Sequence, residues 1–595
     1  MGLDGRIISF FLNIIATFAA DLLMVRRFFL PILWLLMAVT TWSAPAQQKP
    51  FTVTNSDGTR LTITLCGDEC CHFYATLDGV PVVEEDNGDW RLAPELTDSI
   101  HQVWSEKSTR LNLRRQERAE QNRVRRAFGY PSSYMGQKKG IVILVNFTEK
   151  KMKSTNTPAK FNRQFNQVGY KENGIEGSVH DYFFDQSYQQ FDLTFDIIGP
   201  IEADHNYNYY GENNSGGDDK HVGELATEVC RKAHQQYNIN WADYDWDGDM
   251  EVDQVLIIYA GNGEHAGAEK STIWPHESSL TLLKKYGDGE GAIRLGGYTI
   301  DTYAMTCELR GRNFNTGVID GIGAACHEFS HCLGLPDFYD TSGSGGFGMQ
   351  SWDLMASGDK SGSSNYGECP SGFTAYERWF AGWLEPIELT EPITITNMPC
   401  LHDEPVAYII YNDGNRNEYF LLENRQNKGW FQYLRNYTDI HGLLVTHIDY
   451  DRNTWVLNHV NREKNHQRMT IVPAGKNYST SETSYRSHVF PGSANVTELT
   501  NDSHYNYGGK LFNRNTDRTY VMNKPITDIQ ERDGLISFKF MGGGIPDAIS
   551  SVVSSTPADV TYYTLDGIKL TGQPTTPGLY IEKRNGTTRK VSVKR

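Results

Sequence analysis

The chain has 595 residues, 39% of them hydrophobic, and carries a formal net charge of −17. A single hydrophobic core stops growing near roughly 250 to 300 residues, so this length implies several globular units. The negative charge excludes a nucleic-acid-binding surface, because phosphate contacts need a basic stripe that replaces counterions.

In chain order, Arg26 and Arg27 precede an apolar run from Phe28 to Val39, and Ala44-Pro45-Ala46 supplies the small residues a signal peptidase requires. This predicts export, with residues 1–46 as a signal region and Gln47 as the first mature residue. The earlier apolar stretch, Ile7 to Leu23, contains Asn13 and Asp21 and falls short of the roughly 20 clean residues a spanning helix wants. Two readings of the extra length stand: translation beginning at Met24, or a membrane anchor over 1–46. The first leaves no stable membrane span in the mature protein.

Residues 47 to about 110 alternate polar and apolar positions around turns such as "NSDGT" and "LDGV", the texture of a small β-rich unit. The run "RRQERAEQNRVRR", 114–126, holds six arginines and predicts a solvated linker or exposed helix, either a plain charged spacer or a processing site open to an arginine-specific protease. A mature enzyme cut there would begin near Ala127 to Met135. Beyond it "KGIVILVNF" and "VDQVLIIYAG" read as buried strands, with a helical pattern around "SVHDYFFDQS" between them. From about 391 the texture becomes strands and turns. A Gly/Ser/Pro-rich linker follows, then a last small β unit.

The stretch "CHEFSHCLGLPDFYD", 326–340, carries the chemistry. On a helix, residues i and i+4 lie one turn apart on one face, so His327 and His331 project their imidazoles toward a shared point. Two surface histidines on a helix bind nothing, and HExxH alone arises by chance. Here Gly334 can take the left-handed conformation that ends the helix, Pro336 prevents its continuation, and Asp337 falls where a third ligand is needed. Glu368 or another downstream carboxylate is the alternative third ligand. Three protein ligands leave a fourth zinc position for water, with Glu328 placed to act as general base and then acid. Cys326 and Cys332 read as small buried hydrophobes flanking the histidines.

Upstream, "DYDWDGDMEVD", 243–253, spaces carboxylates at alternate positions with a glycine sixth, a pattern that wraps calcium in oxygen ligands. Asp243, Asp245, Asp247 and Asp249 are the candidate ligands. The twelfth position is Gln254, so Glu251 or Asp253 must close the site differently from an EF-hand; a solvated acidic turn is the alternative.

The extended zinc motif, followed by "GMQSWDLMASG" at 348–358, resembles that of metzincin metallopeptidases, in which a Met-containing turn underlies the zinc. Met355 is the matching residue. Through "KGIVILVNF", "SVHDYFFDQSYQQF", "HEFSHCLGLPDFYD", "SWDLMASG", "AYERWFAGWL", "LLENRQNKGW" and "GLLVTHIDY", the chain more closely resembles the immune inhibitor A type of secreted peptidase. Many metzincins place histidine where this chain has Asp337. The resemblance implies an α+β architecture: a metzincin-like catalytic domain with a mixed twisted sheet and an active-site helix, a β-rich propeptide, a β-sandwich-like accessory domain and a small C-terminal β unit. The expected boundaries are 47–126 for propeptide and arginine linker, 127–390 for the catalytic domain, 391–541 for the accessory domain, 542–557 for the linker and 558–595 for the last unit. That last unit resembles Bacteroidetes sorting domains, which implies outer-membrane secretion machinery as a partner. "CGDECCH", 66–72, resembles a propeptide stretch of the family, and Cys66, Asp68, Cys70 or Cys71 could occupy the open zinc position in a latent form.

The expected function is thus a secreted or cell-surface zinc endopeptidase made as a zymogen, acting on protein or peptide substrates through a zinc-activated water, with Zn2+ and Ca2+ as cofactors. The alternative is an exported adhesin or glycan-binding protein with a structural zinc site. An intact Glu328 argues against it, since a structural site needs no base.

Overall fold

The computed structural model describes residues 50–544 except 69–70, 86, 128–131, 215–217, 267, 312–316, 343–344, 476–477, 501–510 and 517–519, together with 561–564, 578–584 and 587–593. The signal region expected over 1–46 and the linker expected over 542–557 fall almost wholly outside the described residues. Among the described residues, no helix is long and apolar enough to cross a membrane.

Five antiparallel strands open the fold: β1 (Phe51–Thr54), β2 (Arg60–Asp68), β3 (Cys71–Thr76), β4 (Pro81–Glu84) and β5 (Trp90–Leu92), paired in sequence order. They lead into α1, a 31-residue helix from Thr97 to Ala127. The arginine run is therefore the last part of this helix. The expectation of a solvated segment fails at Arg115, which is buried against Glu277; its Nε donates to Glu277 Oε2 at 3.0 Å. A guanidinium tolerates burial when a carboxylate takes its N–H groups.

The central sheet has the order β7-β6-β8-β12-β9, with β6 (Gly136–Asn146), β7 (Phe191–Glu202), β8 (Val255–Tyr259), β9 (His276–Ser279) and β12 (Thr302–Cys307). All neighbours are parallel except β9, which runs antiparallel to β12. The near-continuous apolar runs reflect burial on both faces. In β6, Val142 and Leu144 enter one hydrophobic cluster while Ile141, Ile143 and Val145 enter another on the opposite face. In β8, Leu256 and Ile258 face one cluster and Val255, Ile257 and Tyr259 the other. Strand β8 is a central strand, paired with β6 and β12, and the edge on that side is β9.

One face of the sheet is covered by α2 (Pro158–Asn166), α3 (Val179–Gln186) and the helix that carries the HExxH motif. Helix α3 starts with a reciprocal cap, Ser178 accepting from Asp181 N and Asp181 accepting from Ser178 N, which satisfies donors that would otherwise be orphaned. The opposite face carries α4 (Val222–Gln236) and α5 (Leu280–Lys285). A two-stranded hairpin, β10 (Ile293–Leu295) with β11 (Tyr298–Ile300), leads into β12.

Beyond the motif helix α6 (Gly323–His331) and α7 (Ala375–Ala381), two further sheets form: β13 (Ile387–Glu388), β15 (Tyr408–Asn412), β16 (Asn415–Arg425), β17 (Gly442–Asp449) and β18 (Met469–Ile471) in one, β14 (Ile393–Met398), β20 (Leu535–Phe540) and β19 (Ile526–Arg532) in the other. They share a core that includes Ile395, Leu422, Val445, Ile526 and Phe538. The cluster beneath α6 also crosses residue 391, since Leu421, Leu444, Trp455 and Ile471 belong to it with Val142 and Phe329. The two regions are thus packed through one continuous apolar interior. Strands β21 (Thr561–Thr564), β22 (Gly578–Arg584) and β23 (Thr587–Val593) pair antiparallel at the C-terminus.

Candidate metal centre and active site

Helix α6 is buried along its whole length, and Phe329 fixes it by packing against the rings of Phe183, Phe195 and Trp246 at 5.4 to 5.9 Å. That anchor turns the opposite face toward the centre. His327 and His331 lie there one turn apart, with ring centroids 4.9 Å from each other and planes at 90°. Their Nδ1 atoms are 2.9 Å from the Leu354 carbonyl and 2.7 Å from the Leu335 carbonyl. A carbonyl only accepts, so each Nδ1 carries the proton and each Nε2 presents a lone pair. Burial, with smaller effects from Arg115 and His327, holds the His331 imidazole well below its usual range and keeps it neutral.

After α6, Gly334 takes φ of 100°, a left-handed conformation that costs a glycine little and swings the chain back. Asp337 then arrives with Oδ1 at 3.2 Å from His327 Nε2 and 3.8 Å from His331 Nε2. Its other oxygen accepts from Asn458 Nδ2 at 2.7 Å, and its backbone N–H donates to Asn458 Oδ1 at 2.9 Å. Glu368, the alternative third ligand, is engaged elsewhere: Arg310 Nη1 donates to Oε1 at 3.0 Å and Tyr366 N to Oε2 at 3.1 Å. Glu328 is buried beside the tripod, with a carboxylate oxygen within 4.8 Å of a ring nitrogen of both histidines.

The donor set fits a zinc ion. Two imidazole lone pairs and one carboxylate oxygen converge, and His331 Nε2 is buried with no hydrogen-bond partner, a position a cation resolves. Met355 is fully buried, and its carbonyl accepts from Phe338 N at 2.7 Å. The preceding residue, Leu354, makes the more direct contribution by orienting His327. Neither Leu354 nor Asn458 was found by sequence reasoning: one acts through its backbone, and the other lies 121 residues from Asp337.

The acidic loop brings three of the four candidate ligands together. Asp245, Asp247 and Asp249 bring carboxylate oxygens within 4.8 Å of one another. Asp243 does not join them; it accepts from Asn240 at 2.8 Å and pairs with Lys139 at 3.3 Å. Asp253 faces the Trp246 N–H at 2.6 Å. Within the loop, Asp245 accepts from Gly248 N, Asp249 N and Met250 N, so its carboxylate already shapes the turn.

Of the "CGDECCH" stretch, Cys70 and the Asp68 side chain lie outside the described residues. Cys71 sits in an apolar cluster with Trp104, Leu111 and Leu282. Cys66 is fully buried, its thiol 3.9 Å from the Thr64 carbonyl and pushed up to about 12 by burial.

Residues 133–383 match the family described as immune inhibitor A peptidase M6, catalytic domain. This segment belongs to the immune inhibitor A peptidases. The pre-pro-metalloprotease PrtV of Vibrio cholerae serotype O1 is 29% identical over 247 residues, covering 36% of this chain and 25% of that protein. Immune inhibitor A of Bacillus thuringiensis subsp. alesti is 30% identical over 151 residues, covering 24% of this chain and 20% of its own. The chain thus matches a quarter or less of the length of these relatives.

Proposed function

We propose that the chain is a secreted zinc endopeptidase made as a zymogen. The observation that carries this reading is the convergence of His327 Nε2, His331 Nε2 and Asp337 Oδ1 with Glu328 beside them. A zinc ion held by those three residues would supply Lewis-acid stabilisation of developing negative charge on oxygen. Glu328 takes the proton of the attacking water and returns it to the leaving amine nitrogen as the peptide bond breaks. Leu354 and Leu335 hold the imidazoles in the metal-binding tautomer, and Asn458 aims Asp337.

An extended substrate fits best beside β9, the one antiparallel strand and an edge of the central sheet, by strand addition. Residues 50–127 pack against this region: Arg115 pairs with Glu277 on β9, and His72 stacks on Trp274 at 4.5 Å. Latency then arises from occupation of the substrate edge, and cleavage within or after the arginine run relieves it. Calcium at Asp245, Asp247 and Asp249, export through the signal region and sorting through residues 558–595 belong to the same reading.

Glu328→Ala should retain the zinc that His331→Ala loses, while hydrolysis of casein falls about a thousandfold or more. Active wild-type material should begin between Ala127 and Met135 by N-terminal sequencing. An active Glu328→Ala protein would overturn the mechanism; full activity in material beginning at Gln47 would overturn the zymogen.

A further inference from the structure

A second convergence of metal-ligating atoms lies outside the HExxH site. His265 follows β8, Cys307 ends β12, and Asp320 precedes α6 by three residues. A ring nitrogen, the sulfur and a carboxylate oxygen from these three residues all lie within 4.8 Å of one another, with Cys307 Sγ 3.9 Å from Asp320 Oδ2. All three residues are buried, His265 to 1% exposure.

The plainest account is a core thiol beside a carboxyl group kept neutral by burial. It suits Cys307, whose thiol also reaches the Leu309 carbonyl at 3.5 Å. It leaves His265 unexplained, because Nδ1 is buried without any hydrogen-bond partner, and a sequestered polar nitrogen in that condition is costly. The chain has made room for the ring: a Cβ on Gly263 would stand 2.5 Å from that same nitrogen.

We propose that His265, Cys307 and Asp320 form a second, structural metal site for a thiophilic divalent cation of the zinc class. Sulfur and imidazole together select such an ion over calcium or magnesium, whose ligands are oxygens. Binding expels the thiol proton, so a thiolate and a carboxylate neutralise the ion, and the backbone N–H groups of Gly263 and Cys307 face the sulfur to support its charge. Other charged groups nearby are Arg310 with Glu368 at 3.0 Å, Lys360 with Asp359 at 3.9 Å, and Glu308, whose carboxylate accepts from Lys153 N, Asn156 Nδ2 and Gly261 N. Three ligands from three segments would tie the ends of β8 and β12 to the residues entering α6. The site thus fixes the start of the helix that carries His327.

The test uses the full chain with Glu328→Ala, which prevents self-cleavage, loaded with zinc or with cobalt. Two equivalents of zinc are expected, and the cobalt form should show a thiolate-to-metal charge-transfer band in the near ultraviolet. The three HExxH ligands include no sulfur, so a band that depends on Cys307 reports the second site. Adding Cys307→Ser should abolish the band and one equivalent; adding His331→Ala should remove one equivalent and keep the band. If Cys307→Ser does not fold, His265→Gln and Asp320→Asn serve the same comparison. A single equivalent with no band, or a band that survives Cys307→Ser, would overturn the proposal. Loss of only the equivalent sensitive to His331 would instead count against the peptidase reading.

Discussion

The HExxH tripod and the acidic loop are both sets of three residues with ligand atoms brought close, yet they are held by opposite means. In the tripod every ligand is buried and its second polar atom is fixed: His327 by Leu354, His331 by Leu335, Asp337 by Asn458. In the loop, Asp249 is exposed, Asp245 and Asp247 are half-buried, and the carboxylates bond their own turn's N–H groups. Burial makes an unpaired lone pair expensive, so the tripod is preorganised for a cation. Solvent and local hydrogen bonds let the loop persist either way. The difference teaches that proximity of carboxylates says little until their other partners are counted.

The sharpest way to break this comparison is to loosen the tripod without touching a ligand. Asn458→Ala leaves Asp337 Oδ2 without its 2.7 Å donor. Zinc affinity, measured by chelator competition, should fall about 10- to 100-fold, and kcat/KM with it. An unchanged affinity would mean that the tripod is not held as described.

A smaller effect is expected at the loop. Calcium in tenfold excess over its Kd should raise the wild-type Tm by about 3 to 6 °C, with zinc held constant. Asp245→Asn combined with Asp247→Asn should remove that rise. A wild-type Tm indifferent to calcium would return the segment to an acidic surface turn.

A third effect concerns a buried carboxylate away from the tripod's ligands. Burial raises Asp353 to about 7, next to Glu377, which is raised as well. The folded state therefore holds a proton that the unfolded chain has released. The stability this gives is complete below about pH 4 and is lost as pH rises toward 7. Asp353→Asn should flatten that loss by about 1 kcal/mol per pH unit, read from denaturant melts between pH 5 and 7. Parallel pH profiles for variant and wild type would show that Asp353 ionises freely in the fold.

Much of the centre was legible in the sequence because it depends on local geometry. Helical spacing puts His327 and His331 on one face, and Gly334 and Pro336 turn the chain so that Asp337 returns, all within eleven residues. The acidic loop was legible for the same reason, although Asp243 turns to Lys139, 104 residues away, and leaves the cluster. The strands were recognisable from their apolar runs, but their order was not. The run at β8 is apolar because it lies in the middle of the sheet with both faces buried, which composition alone does not distinguish from an edge strand packed under a helix. Arg115 read as solvated because its partner, Glu277, is 162 residues away. Asn458, and the meeting of His265 with Cys307 and Asp320, were decided only by tertiary structure. Their spacings carry no period, and only the pairing of β8 with β12 and the core shared across residue 391 bring them together. Sequence determined which residues could bind metal; the long-range packing of the sheets decided which of them meet.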